Sequence, residues 1–307
     1  MGIQNKRITL VVNDYDRRAH DAAKRLAQWC ADNAVTIMSA ANRCCNCAAG
    51  GDIPRDFSAF VPCENPCDLV VALGGDGTIL RAVHECSNND VPLLGIKFGR
   101  LGFLSGALAE DLLEAVKTAL EGRTQIERRA LLQVKAFASG ELIGTHYALN
   151  EALLGRHTDS HVISTKVRIN RHTVYQLRGD GIIVATATGS TAYALSAGGP
   201  ILSPESRAMS LVPMASHTLI SRAIVTAPKD LVCVHLPDPD RAGAVLSIDG
   251  KVVIDNMYPE RSSLSTGQIL THIETRISSE HWVSLVKTAN HLFFDTLASE
   301  FYYHEGE

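Results

Sequence analysis

A chain of 307 residues that is 46% hydrophobic and 20% charged has the length for two domains and enough apolar content to bury a core, which excludes a disordered protein. Its formal net charge of −4 offers no concentrated basic face, so no nucleic-acid partner is expected. No apolar run approaches the ~20 residues of a membrane-spanning helix, and the start MGIQNKRITLVVND carries neither a cleavage site nor a myristoylation pattern, so a cytoplasmic protein with no membrane association is expected.

In chain order, the apolar run from Ile8 to Val12 predicts a strand, and the pattern from Ala19 to Cys30 a helix. The eight cysteines are read as reduced thiols, because disulfide frameworks belong to small secreted domains. Cys44, Cys45, Cys47, Cys63 and Cys67 could bring four thiolates to zinc, but the CxC and CxxxC spacings are loose; a surface loop with incidental thiols is the expected reading. The run Leu69 to Leu73 reads as a buried strand. A helix follows Thr78 with Ile79, Leu80 and Val83 on one face, and VPLLGI at 91–96 is the next strand. Strand, helix and strand at this spacing predict a parallel sheet with right-handed crossovers. Leu112, Leu113, Val116 and Leu120 form one stripe of a helix over 111–120 that closes the first domain.

Beyond about residue 125 the texture changes to short β-branched runs separated by turn signals: LLQVKAF, VISTKVRI, HTVYQL, GIIVAT, AIVTA, LVCVHL, AVLSI and KVVI. This cadence predicts an antiparallel all-β domain. The last segment regains a helical period through Leu292, Phe293, Leu297 and Phe301, and a lone helix buries such a face most simply by returning to the first domain. The expected division is therefore 1–122, 123–285 and a helical segment 286–307 that packs on the first domain.

Gly74-Gly75-Asp76-Gly77-Thr78 lies between an apolar strand and an amphipathic helix, where glycines let backbone N–H groups approach a phosphate. It matches neither GxxxxGK[ST] nor GxGxxG, so neither of those nucleotide motifs is indicated. Asp76 would repel an anionic ligand unless a cation or a reacting hydroxyl lay between them. That points to acceptance of a hydroxyl proton, against the plainer reading of a turn or helix cap. The second glycine stretch, GDGIIVATATGSTAYALSAGGPI at 179–201, is rich in small residues and hydroxyls. It suits either close approach to a flat ligand or a crowded crossing of the chain.

Together GGDGT, GDGI and TGSTAYALSAGGP resemble the NAD kinase family, joined in the same order by LGIKFGRLGFLSG, ALNEALL, SHTLISRAIV and SIDGK. The resemblance spans about residue 7 to residue 301. It implies a Rossmann-like α/β domain followed by an antiparallel β-sandwich, with NAD held between the domains and between neighbouring subunits of a homodimer or homotetramer. It implies that Asp76 deprotonates the 2′-hydroxyl of the adenosine ribose. ATP or polyphosphate would be the donor, at Gly74, Gly75, Gly77, Thr78 and Lys97, with a divalent ion, Mg²⁺, carried by the donor and no protein metal ligands. Asp76, Gly77, Asn150, Glu151 and Thr188 would contact NAD, as would Thr191, Ala192, Tyr193, Ala194, Leu195 and Ser196. Phe103 would pack near adenine, Arg178 and Asp180 near the nicotinamide half, and Ala215, Asp249 and Lys251 are weaker correspondences.

Each has a plainer reading: Asn150 and Glu151 as a turn, Arg178 and Asp180 as a surface ion pair, and His217 as a core hydrogen-bonding group. The chain departs from the family at Lys97, Ala185, Ala187, Ser216 and Ala223, where Asn, Ser, Pro, Pro and Pro are usual. Lys97 bears on donor preference or metal use. Lipid and sugar kinases carry related GGDG turns but have no need of the second glycine stretch, and a non-catalytic NAD(H)-binding regulator is the rival from another class.

Overall fold

The computed structural model describes residues 3–39, 67–86, 91–217, 221–239, 243–258, 268–288 and 293–302. Cys44, Cys45, Cys47 and Cys63 lie outside the described residues; Cys67 is buried. The chain forms two compact units that divide at Arg129/Ala130 and His281/Trp282.

In the first unit, β1 (Arg7–Val12), α1 (Arg17–Asp32) and β2 (Thr36–Ser39) are followed by β3 (Leu69–Leu73), α2 (Asp76–Cys86) and β4 (Pro92–Lys97). The two-residue strand β5 (Ala107–Leu108) then leads to α3 (Leu112–Leu120). Strands β2, β1, β3 and β4 pair in that order, all parallel. Every residue of β3 is buried, as a parallel strand covered on both faces requires. Helix α1 starts where the Asp16 carboxylate accepts the Arg18 N–H at 2.9 Å, and buries Ala19, Ala22, Leu26 and Cys30 on one stripe. The chain leaves β1 toward β2 on one side and returns through β3 on the other. The loops after β1 and β3 therefore flank the point of reversal, where open α/β sheets take their ligands.

The second unit is built from strands. They are β6 (Gln125–Ala138), β7 (Glu141–Ala148), β8 (Glu151–Arg156), β9 (Ile163–Ile169), β10 (His172–Gly179) and β11 (Gly181–Thr186). After the single helical turn α4 (Tyr193–Ser196) come β12 (Met209–Met214), β13 (Ile224–Thr226), β14 (Val232–His235), β15 (Ala244–Ile248), β16 (Lys251–Asp255) and β17 (His272–Lys287). One antiparallel sheet runs β13-β12-β11-β8-β15-β16, and β10, β9, β14 and β17 pair antiparallel in the other, with β6 and β7. Leu132, Val134, Val167, Val232, Val234 and Ile273 from this second sheet share one buried cluster with Ala152, Leu154, Ile182, Val184 and Leu246 from the first. That is the core of a β-sandwich.

Strands β6 and β17 begin in one unit and end in the other. Residues 284 and 285 of β17 pair parallel with β4, so its tail belongs to the first unit. The terminal helix α5 (Phe293–Tyr302) belongs to that unit too, with the Phe293 ring 5.5 Å from that of Phe103. The expectation of a returning helix holds.

Three local expectations are corrected. The helix expected after Thr78 begins at Asp76, because the Gly75 carbonyl already accepts the N–H groups of Thr78 and Ile79. Asp111 closes a 3₁₀ turn ahead of α3 rather than opening it. Strand β12, MSLVPM, was not read from the sequence, because Pro213 weakens a strand pattern. Among the described residues no helix is long and apolar enough to cross a membrane.

Candidate functional site

In the first unit, Asp76 is the first residue of α2, where the helix dipole favours a carboxylate. Its Oδ1 is buried with no hydrogen-bond partner among the described residues. Burial raises its proton affinity, Lys97 and Lys287 oppose that, and Glu300 adds to it. Lys97 ends β4 and Lys287 ends β17. Gly102 sits against the pair: a Cβ there would lie 2.6 Å from Lys97 Nζ and 2.8 Å from Asp76 Oδ1. Glycine alone leaves both charges in place. The Gly102 N–H donates to Ser105 Oγ at 2.8 Å, which closes the turn. Gly74 gives its space to the buried Thr78 hydroxyl, whereas at Gly75 and Gly77 a Cβ would meet nothing within 4 Å. Crowding among the described residues does not require glycine at those two positions.

In the second unit, Asp249 and Gly250 form the turn between β15 and β16, with φ of 46° and 79°, as an Asp-Gly hairpin turn does. From there the Asp249 carboxylate accepts the N–H groups of Leu149 (2.8 Å), Asn150 (2.8 Å) and Glu151 (3.0 Å). This fixes the start of β8. The Glu151 side chain is buried, with Oε2 lacking a hydrogen-bond partner among the described residues. Burial first, and then the Asp249 charge, push its carboxyl up to about 8. At neutral pH Glu151 therefore holds a proton and can donate it in a hydrogen bond.

The Thr186 hydroxyl donates to the Leu149 carbonyl at 2.6 Å and accepts the Gly189 N–H at 3.0 Å. Gly189 thereby lies against Asn150 so closely that a Cβ would collide with the Asn150 carbonyl. The buried Ser190 hydroxyl donates to Ala187 (2.6 Å) and accepts the Leu202 N–H (2.9 Å). At these positions small residues answer to internal crowding.

Asp180 occupies the corner between β10 and β11. A Cβ on Gly179 would lie 2.8 Å from the Met214 carbonyl and one on Gly181 2.5 Å from that of Leu154. The Asp180 N–H donates to Met214 (3.0 Å), and its carboxylate accepts Arg156 Nε–H at 2.7 Å. Arg156 Nη1 is spent on the carbonyls of Thr158 and Ser160, both at 3.2 Å. Asp180, Tyr193, Ser196, Ala197, Met214 and Ala215 line a depression of about 190 Å³.

Residues 8–124 match the ATP-NAD kinase N-terminal domain, and residues 149–273 the ATP-NAD kinase C-terminal domain. The NAD kinase of Chloroflexus aggregans is 35% identical over 221 residues, 72% of this chain and 79% of that protein. The chain belongs to the NAD kinase family. The NAD kinase of Psychrobacter arcticus is 41% identical over 185 residues, 60% of this chain; that match spans 57% of the relative, under two thirds of its length. In fold the chain is similar to yeast NADH kinase complexed with NADH, with a TM-score of 0.75 at 20% identity over 98% of this chain and 88% of that one.

The remaining residues singled out from the sequence take the following places. Arg178 is exposed, and Asp180 pairs with Arg156 instead, which corrects the reading of Arg178 and Asp180 as an ion pair. Ala194 is wholly buried with Ile183, Ala185 and Val212, so its methyl supports the segment from within. His217 is exposed and its backbone N–H donates to the Arg178 carbonyl at 2.8 Å; the exposure corrects its reading as a core hydrogen-bonding side chain. Thr188 is buried and its carbonyl accepts the Thr191 hydroxyl at 3.3 Å. Ala192, Leu195 and Lys251 are half-buried, while Ala215 is exposed at a φ of 42°. Lys287, Gly102, Arg156 and Thr186 were not singled out from the sequence. Their roles come from contacts far apart along the chain. Among the described residues no group of three or more His, Cys, Asp or Glu side chains could hold a metal ion.

Proposed function

We propose that this NAD kinase family member transfers the terminal phosphoryl group of ATP, or of another phosphoryl donor, to the 2′-hydroxyl of the adenosine ribose of NAD. The observation that carries this reading is the Asp76 carboxylate, whose Oδ1 is buried without a hydrogen-bond partner among the described residues, balanced by two lysines at the sheet's point of reversal. As the ribose oxygen bonds to phosphorus and the bond to the leaving diphosphate breaks, the hydroxyl proton passes to Asp76. Open space at Gly75 and Gly77 supports approach of the donor phosphates to the first turn of α2. In the second unit, protonated Glu151, with Asp180, Tyr193 and Ser196, is assigned to holding the dinucleotide.

One carboxylate under the influence of two lysine ammonium groups suits a divalent ion that arrives on the donor rather than one the protein cages. Bound in that way, Mg²⁺ would spread the charge on the donor phosphates. A homo-oligomer is part of the same reading, and sedimentation of the purified chain tests it. Incubation with ATP, Mg²⁺ and NAD should yield NADP. Formation of neither NADP from NAD nor NADPH from NADH with any triphosphate or polyphosphate would favour the regulator instead.

A further inference from the structure

Lys287 lies more than 200 residues along the chain from Asp76 and outside every motif of the sequence, yet it faces the same site. Its side chain is only 13% exposed, and its Nζ donates to the carbonyls of Ser105 at 2.8 Å and Phe103 at 3.2 Å. Those carbonyls belong to the turn opened by Gly102, whose missing side chain makes room for the Asp76 carboxylate. A chain of contacts thus runs from the ammonium, through the 102–105 backbone, to the reacting carboxylate.

We propose that Lys287 is the positioning residue of the Asp76 site: it ties the 102–105 turn against the carboxylate and, with Lys97, supplies the counter-charge of a group whose Oδ1 has no hydrogen bond among the described residues. The other charges that bear on the pair are Glu300, on Asp76, and Glu127 and Arg129, on Lys287. Glu127 is 3.9 Å from Nζ, near enough to assist but long for a bond. Burial, with Arg129 adding to it, draws the Lys287 ammonium down to about 8, while Glu127 and Asp76 support it. Its charge is therefore present at neutral pH and lost in mildly alkaline solution. An ordinary structural lysine would serve equally well as any donor to the two carbonyls. A positioning lysine must also be charged.

The inference rests on the reading of Asp76 as the base, and its test separates the two. Lys287→Gln keeps donors for the carbonyls and removes the charge; Lys287→Arg keeps the charge. In the full-length protein without substrate, carboxyl NMR should show Asp76 titrating at higher pH in Lys287→Gln and at its wild-type position in Lys287→Arg. An unmoved Asp76 titration in Lys287→Gln overturns the proposal. Turnover in Lys287→Gln should fall on the order of tenfold further at pH 6 than at pH 8, relative to wild type, and Lys287→Arg should restore the profile. If the carboxyl titration moves while the acid limb of turnover stays, Lys287 governs Asp76 as proposed and Asp76 is not the base. Should Lys287→Gln fail to fold, wild type still decides: the Asp76 carboxyl signal must show a second inflection near pH 8, absent from Lys287→Arg. Its absence from wild type sinks the proposal.

Discussion

Asp76 and Glu151 each carry one buried carboxyl oxygen that no group among the described residues satisfies. Burial raises the proton affinity of both. What separates them is the sign of the nearest charge. Around Asp76 two lysines oppose the effect of burial, whereas beside Glu151 the Asp249 carboxylate adds to it and the group reaches about 8. Desolvation acting against charges of opposite sign therefore prepares one carboxyl to accept a proton and the other to donate one.

The largest effect expected from this contrast is on turnover. Asp76→Asn should lower NADP formation by roughly 10³-fold or more with NAD binding retained, since a positioned base contributes on that scale. Glu151→Gln imitates the protonated acid and should stay within about tenfold of wild type. If the two variants exchange these outcomes, the roles are reversed.

Stability against pH sharpens the same contrast. Glu151 has a folded value of about 8 against an ordinary 4.5, so its contribution is full below 4.5 and is lost as pH rises toward 8. The loss is on the order of 5 kcal/mol as a ceiling. Denaturant unfolding between pH 5 and 9 should show this decline, and Glu151→Gln should flatten it. A slope that survives in Glu151→Gln would trace to some other group.

Asp249→Ala removes one acceptor from three backbone N–H groups and should cost about 2 kcal/mol. It should also bring the Glu151 titration down, though not to the ordinary range, because burial remains its larger cause. The smallest effect belongs to the half-exposed Arg156–Asp180 pair. Arg156→Ala should shift stability by only about 0.5 kcal/mol. A thermal melt that falls far beyond this would show that the carbonyl contacts of Arg156, rather than its charge, hold the corner.

Much of this arrangement could be read in residues close together along the chain. The all-apolar run Leu69 to Leu73 is a buried parallel strand with Asp76 just past its end, and AVLSI and KVVI are the two strands flanking Asp249 and Gly250. What could not be read depends on register. Gly181 pairs with Gly155, which puts Asp180 beside Arg156 rather than Arg178. Lys287, at a strand end, meets the carbonyls of Phe103 and Ser105 in a turn some 180 residues away, and no local pattern records that. In the small-residue stretch, sequence left two readings open. Gly189 and Ser190 are explained by crowding within the unit, while Tyr193 and Ser196 line the depression.

Because β6 and β17 each begin in one unit and finish in the other, the polypeptide passes at these two places without a linker. Severing it at either crossing would cut a ladder in mid-strand and strand its amides and carbonyls. A limited digest should therefore spare these two places, and neither half is a natural fragment to express by itself.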